Sequence, residues 1–317
     1  MQTNTTTNTT IYDLAIVGGG PAGCAGAVYA ARKRLKTVFL TSEWGGQSVV
    51  SEGIENWIGT PVISGADLAK SLREHVEKYD GDYLHIVSPT WVKTISKTDG
   101  GFQIEHSKGE IITAKSILIA TGSGRRKLEA KGADIFEHKG LTYCASCDGP
   151  LFADQPVAVL GGGNAAFESA AQLLAYCSHV YLIHRSNDFR ADQITIDKLK
   201  TNPKLTIITN ADVTEITGDK FVEGLSYLDK TTNEQKELTV SGVFVEIGQI
   251  PNTDIVKGLV DIDSHGKIVI DPWTGMSSVA GIWGAGDCTN IRYHQNNIAT
   301  GEAVKALEDI YQWLHKQ

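Results

Sequence analysis

Cys144 and Cys147, in Cys144-Ala145-Ser146-Cys147, have the C-x-x-C spacing of a dithiol that readily forms and breaks a disulfide. Asp148 follows at once. It is placed to shuttle the proton that thiol–disulfide exchange requires, or else simply opens the turn at Gly149-Pro150. A zinc half-site is the alternative, but no second C-x-x-C accompanies this pair, so no metal is expected. Gly161 lies 14 residues after Cys147 and begins Gly161-x-Gly163-x-x-Ala166, while Gly18-x-Gly20-x-x-Gly23 opens the chain. In each, the first glycine permits a tight turn, the second lets backbone approach a pyrophosphate, and the third position sets helix–strand packing. Two dinucleotide sites and a redox pair beside the second suggest electrons passing from a nicotinamide through a flavin to a disulfide.

The residues after the two fingerprints differ in charge. After the first comes Glu43, a candidate acid for a ribose or else a solvated loop charge. After the second comes His184-Arg185-Ser186-Asn187-Asp188-Phe189-Arg190. Arg185 stands where an NAD site carries an acid, and with Arg190 it suits a 2′-phosphate through charge-assisted hydrogen bonds, which favours NADPH over NADH. Ordinary surface arginines are the alternative.

These residues need elements to hold them. Residues 12–17 read as a strand, the Ala-rich stretch to Arg34 as a helix, and residues 36–41 as the next strand, a β-α-β unit. Residues 64–78 form an amphipathic helix with Leu68, Leu72 and Val76 on one face. Residues 91–113 form a strand meander that turns at Asp99-Gly100-Gly101 and runs into Ala120-Thr121-Gly122. The programme then repeats: a strand at 156–160, a helix at 167–176, a strand at 180–183, a meander over 211–240 and an apolar strand at 242–248. Gly161 stands 143 residues after Gly18, so the chain reads as two similar domains. A strand near 267–270 and a terminal helix over 299–314 remain. The first unit alone has too little sheet to bury both faces, so this remainder belongs to it. The expected fold is α/β: two Rossmann-like three-layer nucleotide-binding domains with β-meanders, the second inserted in the first. Residues 11–120 and 249–317 form the FAD domain, residues 121–248 the NAD(P)H domain carrying the dithiol, and residues 1–10 a disordered tail. Two thin, glycine-flanked crossings permit rotation of the inserted domain.

Composition bounds the partners. The net charge of −8 argues against a nucleic-acid or anionic-membrane binder, which needs a basic face. No apolar run reaches the roughly 18 residues of a membrane span, and the Thr/Asn-rich start lacks the basic and apolar regions of a secretion signal. Five cysteines make no secreted disulfide framework; Cys24, Cys177 and Cys288 read as small buried hydrophobes, and the location as cytoplasmic.

Assembled, these motifs resemble the low-molecular-weight thioredoxin reductases, FAD enzymes of the two-domain disulfide reductase class. The likeness spans residues 11–317. It is carried by Gly18–Gly23, Gly45-Gly46-Gln47, Glu55-Asn56-Trp57, Ala120-Thr121-Gly122, Cys144–Gly149, Gly161–Ala166, His184-Arg185, Phe189-Arg190-Ala191 and Gly284-x-Gly286-Asp287. The resemblance implies FAD held by Gly18, Gly20, Pro21, Ala22, Gly23, Glu43, Gly46, Gln47, Asn56, Ala120, Thr121, Gly122, Gly286, Asp287, His294, Gln295 and Asn296. It implies NADPH held by Gly161, Gly163, Asn164, Ala165, Ala166, His184, Arg185, Arg190 and Gly248. It makes Cys147 the sulfur nearest the flavin, Cys144 the attacker of a thioredoxin-like protein disulfide, Asp148 the acid–base, and the protein a homodimer.

Ser186 stands where the family usually has a second arginine. The stretch Tyr293-His294-Gln295-Asn296-Asn297-Ile298-Ala299-Thr300-Gly301-Glu302 lacks the usual Arg-Gln-Ala and is closer to the flavoprotein that reduces the alkyl hydroperoxide peroxiredoxin, as are Cys288 and Ala191-Asp192-Gln193. That flavoprotein has an additional N-terminal thioredoxin-like domain, so such a role here implies a separate carrier, with NADH as the alternative donor. A flavin dithiol oxidase and a ferredoxin-fed thioredoxin reductase are further alternatives; the intact second fingerprint with Arg185 and Arg190 disfavours both.

Overall fold

The computed structural model describes residues 7–316 apart from residue 52. Two compact units result. One takes the described residues through Gly124 and resumes at Ile250; the other is Arg125–Gln249.

In the first unit, parallel strands lie in the order Leu84–Val87, Thr37–Leu40, Thr7–Val17 and Ile111–Ile119, continued by antiparallel Gly101–His106 and Val92–Thr98. Ile282–Gly284 also pairs in parallel with Ile111–Ile119. The two-residue period of the strands splits the core. Leu14, Ile16, Phe39 and Leu118 point to one face, where they meet alanines of the Pro21–Arg32 and Asn296–Leu314 helices and the fully buried Trp283. Ala15, Val17, Val38, Leu40, Ile117 and Ile119 point to the other, packing on Ile95, Ile104, Val256 and Ile268. Each fully buried side chain of this size contributes about 1.5–3 kcal/mol of burial. The Gly65–Glu77 helix buries Leu68 and Val76 with Leu72 half-buried, as its pattern demands, and Ser64 caps it by accepting from the Asp67 N–H at 3.0 Å.

The second unit repeats this plan with an all-parallel sheet, in the order Leu205–Ile208, His179–Ile183, Pro156–Leu160, Gly242–Val245, Leu141–Thr142. Val157, Val159, Val180, Leu182 and Phe244 pack against Phe167, Ala170 and Leu173 of the Asn164–Leu173 helix. Ala158, Leu160, Val243 and Val245 meet Ile216, Val222 and Leu225 of a three-stranded meander, Ala211–Gly218, Val222–Asp229 and Glu234–Thr239.

Several expectations shift. The helix expected over 167–176 spans Asn164–Leu173, and the strand expected over 242–248 ends at Val245. Thr7–Thr10, expected in the disordered tail, belong to the first strand, with Thr7 in register with Ile111 beyond a bulge. Residues 1–6 of the tail lie outside the described residues. Residues 267–270 make single bridges, Ile268 to Thr289 and Ile270 to Ser277, rather than a ladder strand. The terminal helix starts at Asn296 instead of Ala299. The unit boundaries fall a few residues later than the sequence suggests. Thr121 and Gly122 stay with the first unit because Asn252 binds them: Thr121 Oγ1 donates to the Asn252 carbonyl at 2.7 Å, and the Asn252 N–H donates to the Gly122 carbonyl at 3.0 Å.

Candidate nucleotide and dithiol sites

In the first unit the fingerprint glycines sit where strand Thr7–Val17 turns into helix Pro21–Arg32. Gly18 has φ +120°, and a Cβ there would run into the Ala120 carbonyl. A Cβ on Gly23 would overlap the Gly18 carbonyl. Only glycine allows these approaches. Gly20, the helix N-cap, is different: its φ is −77°, and a Cβ would meet only the Gly46 Cα, at 3.8 Å. No side chain among the described residues caps this helix, which leaves its first N–H groups and positive end available, an arrangement suited to a phosphate. Pro21 occupies the first helical position.

Other expected flavin-side residues gather around this turn. Gly46 and Gln47 begin the Gly46–Val50 3₁₀ turn, and Gln47 Nε2 donates to the Ser123 carbonyl. Asn56 Nδ2 donates to Gln295 Oε1 at 3.0 Å, and Asn297 Nδ2 donates to the Asn56 carbonyl at 2.7 Å. Ser48 Oγ donates to Asn296 Oδ1 at 2.8 Å. These bonds tie the 46–56 loop to the start of the terminal helix, also uncapped by any described side chain. The Gly286 N–H donates to Glu302 Oε2 at 2.9 Å, and burial pushes the Glu302 carboxyl up. Lys267 Nζ lies 2.8 Å from His294 Nε2, and His294 Nδ1 lies 3.2 Å from Asp287 Oδ1. An ammonium only donates, so Nε2 accepts, and the Nδ1–H points at Asp287. Glu43 is exposed; its carbonyl accepts from the Thr41 hydroxyl beside Gly19.

In the second unit Gly161 has φ +153°, and a Cβ there would strike the Glu246 carbonyl and approach the Ala166 methyl at 2.9 Å. Gly163 caps helix Asn164–Leu173 with ordinary backbone, φ −99°; no described side chain caps that helix, and a Cβ on Gly163 meets no described atom within 4 Å. Ala165 is exposed on the first turn, and Asn164 Oδ1 accepts from the Asp192 N–H at 2.7 Å. The Arg190 N–H donates to the Gly162 carbonyl at 2.7 Å, fastening the 184–190 loop to the fingerprint. The His184 ring covers Gly162; Ser186 Oγ lies 2.7 Å from His184 Nε2, and the Asp188 carbonyl 3.1 Å. Ser186 therefore holds the histidine instead of presenting a charge. Burial above all, then the positive charges of Arg185, Arg190 and Lys230, hold this imidazole below its ordinary pKa against the Asp188 carbonyl. Arg185 and Arg190 are exposed, and Lys230 Nζ donates to the Arg185 carbonyl at 3.0 Å. Gly248 is exposed at φ +110°, its carbonyl accepting from the Arg126 N–H.

In the same unit Cys144 and Cys147 are joined as a disulfide with Cα atoms 5.3 Å apart. The Cys147 N–H donates to Cys144 Sγ at 3.2 Å, and the Thr142 hydroxyl donates to Asp148 Oδ2. Thr142 is buried and Asp148 half-buried. Cys24, Cys177 and Cys288 are free and buried, and burial pushes their thiols up to about 12, 11 and 11. They are inert as nucleophiles at neutral pH. Among the described residues no cluster of three His, Cys, Asp or Glu side chains is placed to hold a metal, and no helix is long and apolar enough to cross a membrane.

Sequence reading missed Lys267, Glu302, Thr142, Ser169, Lys230 and Glu246. Of these only Glu246 carries a local signal: it follows an apolar strand as Ala120 does in the first half.

A nucleotide-binding turn repeated in each unit, with a disulfide in the second, defines a two-nucleotide redox protein. The chain belongs to the pyridine nucleotide-disulphide oxidoreductase family, whose model matches residues 12–303. Among solved structures it is similar to the thioredoxin reductase of Giardia duodenalis (TM-score 0.91, 30% identity, 97% of this chain and 100% of that one). The thioredoxin reductase of Streptococcus pyogenes MGAS5005 gives a TM-score of 0.88 at 32% identity, covering 98% of this chain and 100% of that one. Among curated proteins it is 40% identical over 304 residues to the F subunit of alkyl hydroperoxide reductase from Escherichia coli (strain K12) and 38% identical over 303 residues to an NADH dehydrogenase of Bacillus subtilis (strain 168). Each alignment covers 96% of this chain, which spans 58% of the length of those relatives. The family implies FAD and NAD(P)H as cofactors. Both turns fit dinucleotides: each ends in a helix N-terminus uncapped by any described side chain, and a Cβ on the second glycine of either would meet no described atom closer than 3.8 Å.

Proposed function

We propose that this protein is an NADPH-dependent flavoprotein disulfide reductase whose Cys144–Cys147 pair reduces a thioredoxin-like protein disulfide. The observation that carries this reading is the disulfide built into the same compact unit as the second nucleotide turn. FAD on the first turn supplies two-electron exchange between a nicotinamide and the cysteine pair. The chain's own part is positioning and proton transfer. Gly18, Gly20 and Gly23 admit a pyrophosphate to the first helix end, with Gly46, Gln47, Asn56, Asp287 and His294 lining the remainder of that site. Gly163 leaves room at the second helix end, and Arg185 and Arg190 supply charge for a 2′-phosphate.

In the reduced pair Asp148 takes the Cys144 thiol proton as Cys144 attacks one sulfur of the partner disulfide; a mixed disulfide forms, and the partner's other sulfur leaves as a thiolate that receives this proton back from Asp148. Cys147 then attacks Cys144, restoring the internal disulfide and releasing the partner as a dithiol. Thr142 holds the Asp148 carboxyl through its hydroxyl. A second reading, reduction of a peroxiredoxin-linked carrier with NADH, is favoured by the identity to the alkyl hydroperoxide reductase F subunit and by Ser186 bonding His184 in place of a second cation. With either reading go a cytoplasmic location and a homodimer, the latter checked by sedimentation. Anaerobic titration of the yellow protein with NADPH and with NADH separates the two readings: preferential flavin bleaching by NADPH supports the first, and equal or better bleaching by NADH supports the second.

A further inference from the structure

Glu246 is a half-buried carboxyl that plays no part in the disulfide exchange. It comes directly after strand Gly242–Val245, and its carbonyl abuts Gly161, the first residue of the second fingerprint. Those two strand ends flank the place where the sheet order reverses. Pro156–Leu160 pairs on one side with His179–Ile183 and on the other with Gly242–Val245. Ligands of open parallel sheets bind in the crevice outside the carboxyl ends of strands at such a reversal. Arg185 and Arg190 follow His179–Ile183, so with the 2′-phosphate on these arginines the adenosine half lies on that side. The other half of the dinucleotide then lies toward Gly242–Val245, where Glu246 is. Ser169 Oγ, on the helix that begins at the fingerprint, donates to Glu246 Oε1 at 2.7 Å and fixes the carboxyl. A carboxylate oxygen has more than one acceptor position, and Oε2 can take a second donor.

We propose that Glu246 is a cofactor-contacting residue of the second nucleotide site, its carboxylate accepting a hydrogen bond from the nicotinamide carboxamide. The inference rests on the reading that this fingerprint holds NADPH. It distinguishes the complete dinucleotide from its adenosine half, because only the former carries the carboxamide donor. The contact is also acid-sensitive. Burial above all pushes Glu246 up to about 7; Glu168 raises it further, while the Ser169 hydroxyl and the Arg125 charge pull it down. Below that value the protonated carboxyl loses the charge-assisted bond.

The test is calorimetric binding of NADP⁺, which carries the same carboxamide and cannot reduce the flavin, and of 2′-phospho-ADP-ribose, which lacks only the nicotinamide, to the oxidised, FAD-loaded full chain. Both ligands carry the 2′-phosphate and the same pyrophosphate diester, so dividing the two affinities cancels the titration of their phosphates. Glu246→Ala is expected to weaken NADP⁺ by about tenfold and to leave 2′-phospho-ADP-ribose unchanged. In the wild type the ratio should fall as the pH drops through about 7. Glu246→Gln keeps an acceptor and should retain much of the ratio while abolishing its pH dependence, which guards against a folding defect in the alanine variant. Equal weakening of both ligands, or of neither, overturns the inference while leaving the site reading intact. A wild-type protein that binds neither ligand overturns both.

Discussion

The two nucleotide turns share one backbone plan and differ in the residues around it, which separates what the fold demands from what the ligand demands. Gly18 and Gly161 are interchangeable in role: each has positive φ and lies on the carbonyl that ends a neighbouring strand, Ala120 in one unit and Glu246 in the other. At the third position the units diverge. Gly23 lies so close to the Gly18 carbonyl that no methyl fits, whereas the second unit accommodates the methyl of Ala166. The residues after the second strand differ in sign, exposed Glu43 against Arg185 and Arg190. The strand-end residue next to the first glycine is Ala120 in one unit and the titratable Glu246 in the other. The turn is thus a property of the fold, and the charges around it decide which dinucleotide it suits.

The largest effect distinguishes the units by what only the second contains. Replacing either Cys144 or Cys147 by serine should lower reduction of a thioredoxin-like disulfide by at least roughly 10³-fold, with flavin bleaching by NADPH preserved; loss of bleaching as well would break the division of labour. Next come the positive-φ glycines. Gly18→Ala and Gly161→Ala should each destabilise the protein by on the order of 3 kcal/mol, read in urea unfolding, because in both the new methyl meets a backbone carbonyl. Smaller and more selective effects belong to the middle glycines, where the backbone tolerates alanine. Gly20→Ala should weaken FAD retention and Gly163→Ala should weaken NADPH, each by about tenfold or more, with the unfolding midpoint nearly unchanged. Crossed effects, FAD lost on altering Gly163, would undo the assignment of ligands to turns. Arg185→Ala should reduce NADP⁺ affinity for the oxidised protein by about tenfold and leave NAD⁺ alone, as measured by calorimetry.

Much of this comparison was legible in the sequence, because it rests on local chemistry. The glycine spacing, the flanking strands of period two, the C-x-x-C pair and the burial of Cys24, Cys177 and Cys288 are all short-range signals. What escaped the sequence depends on residues that meet only after folding. Ser169 and Glu246 are 77 positions apart, and Ser48 and Asn296 are 248 apart. No period or motif announces such pairs. Thr142 and Asp148 are near in sequence, yet their bond depends on how the short helix after Cys144 turns back. Ser186 read as a missing charge, and only the structure gives it a task, fixing the His184 ring. The strand anticipated at 267–270 failed for a related reason: Ile268 and Ile270 are buried, but their neighbours arrive as single bridges from three separate segments, at Ile262, Ser277 and Thr289.

The central claim is that electrons from a nicotinamide reach both a flavin and the Cys144–Cys147 pair within one chain. Anaerobic titration of the oxidised, FAD-loaded protein with NADPH, following flavin absorbance and free thiols together, addresses it directly. Full reduction should consume about two equivalents of NADPH, since flavin and disulfide each take two electrons, and should release two thiols that the Cys144→Ser, Cys147→Ser double variant lacks. Consumption of about one equivalent with no new thiols would contradict the account.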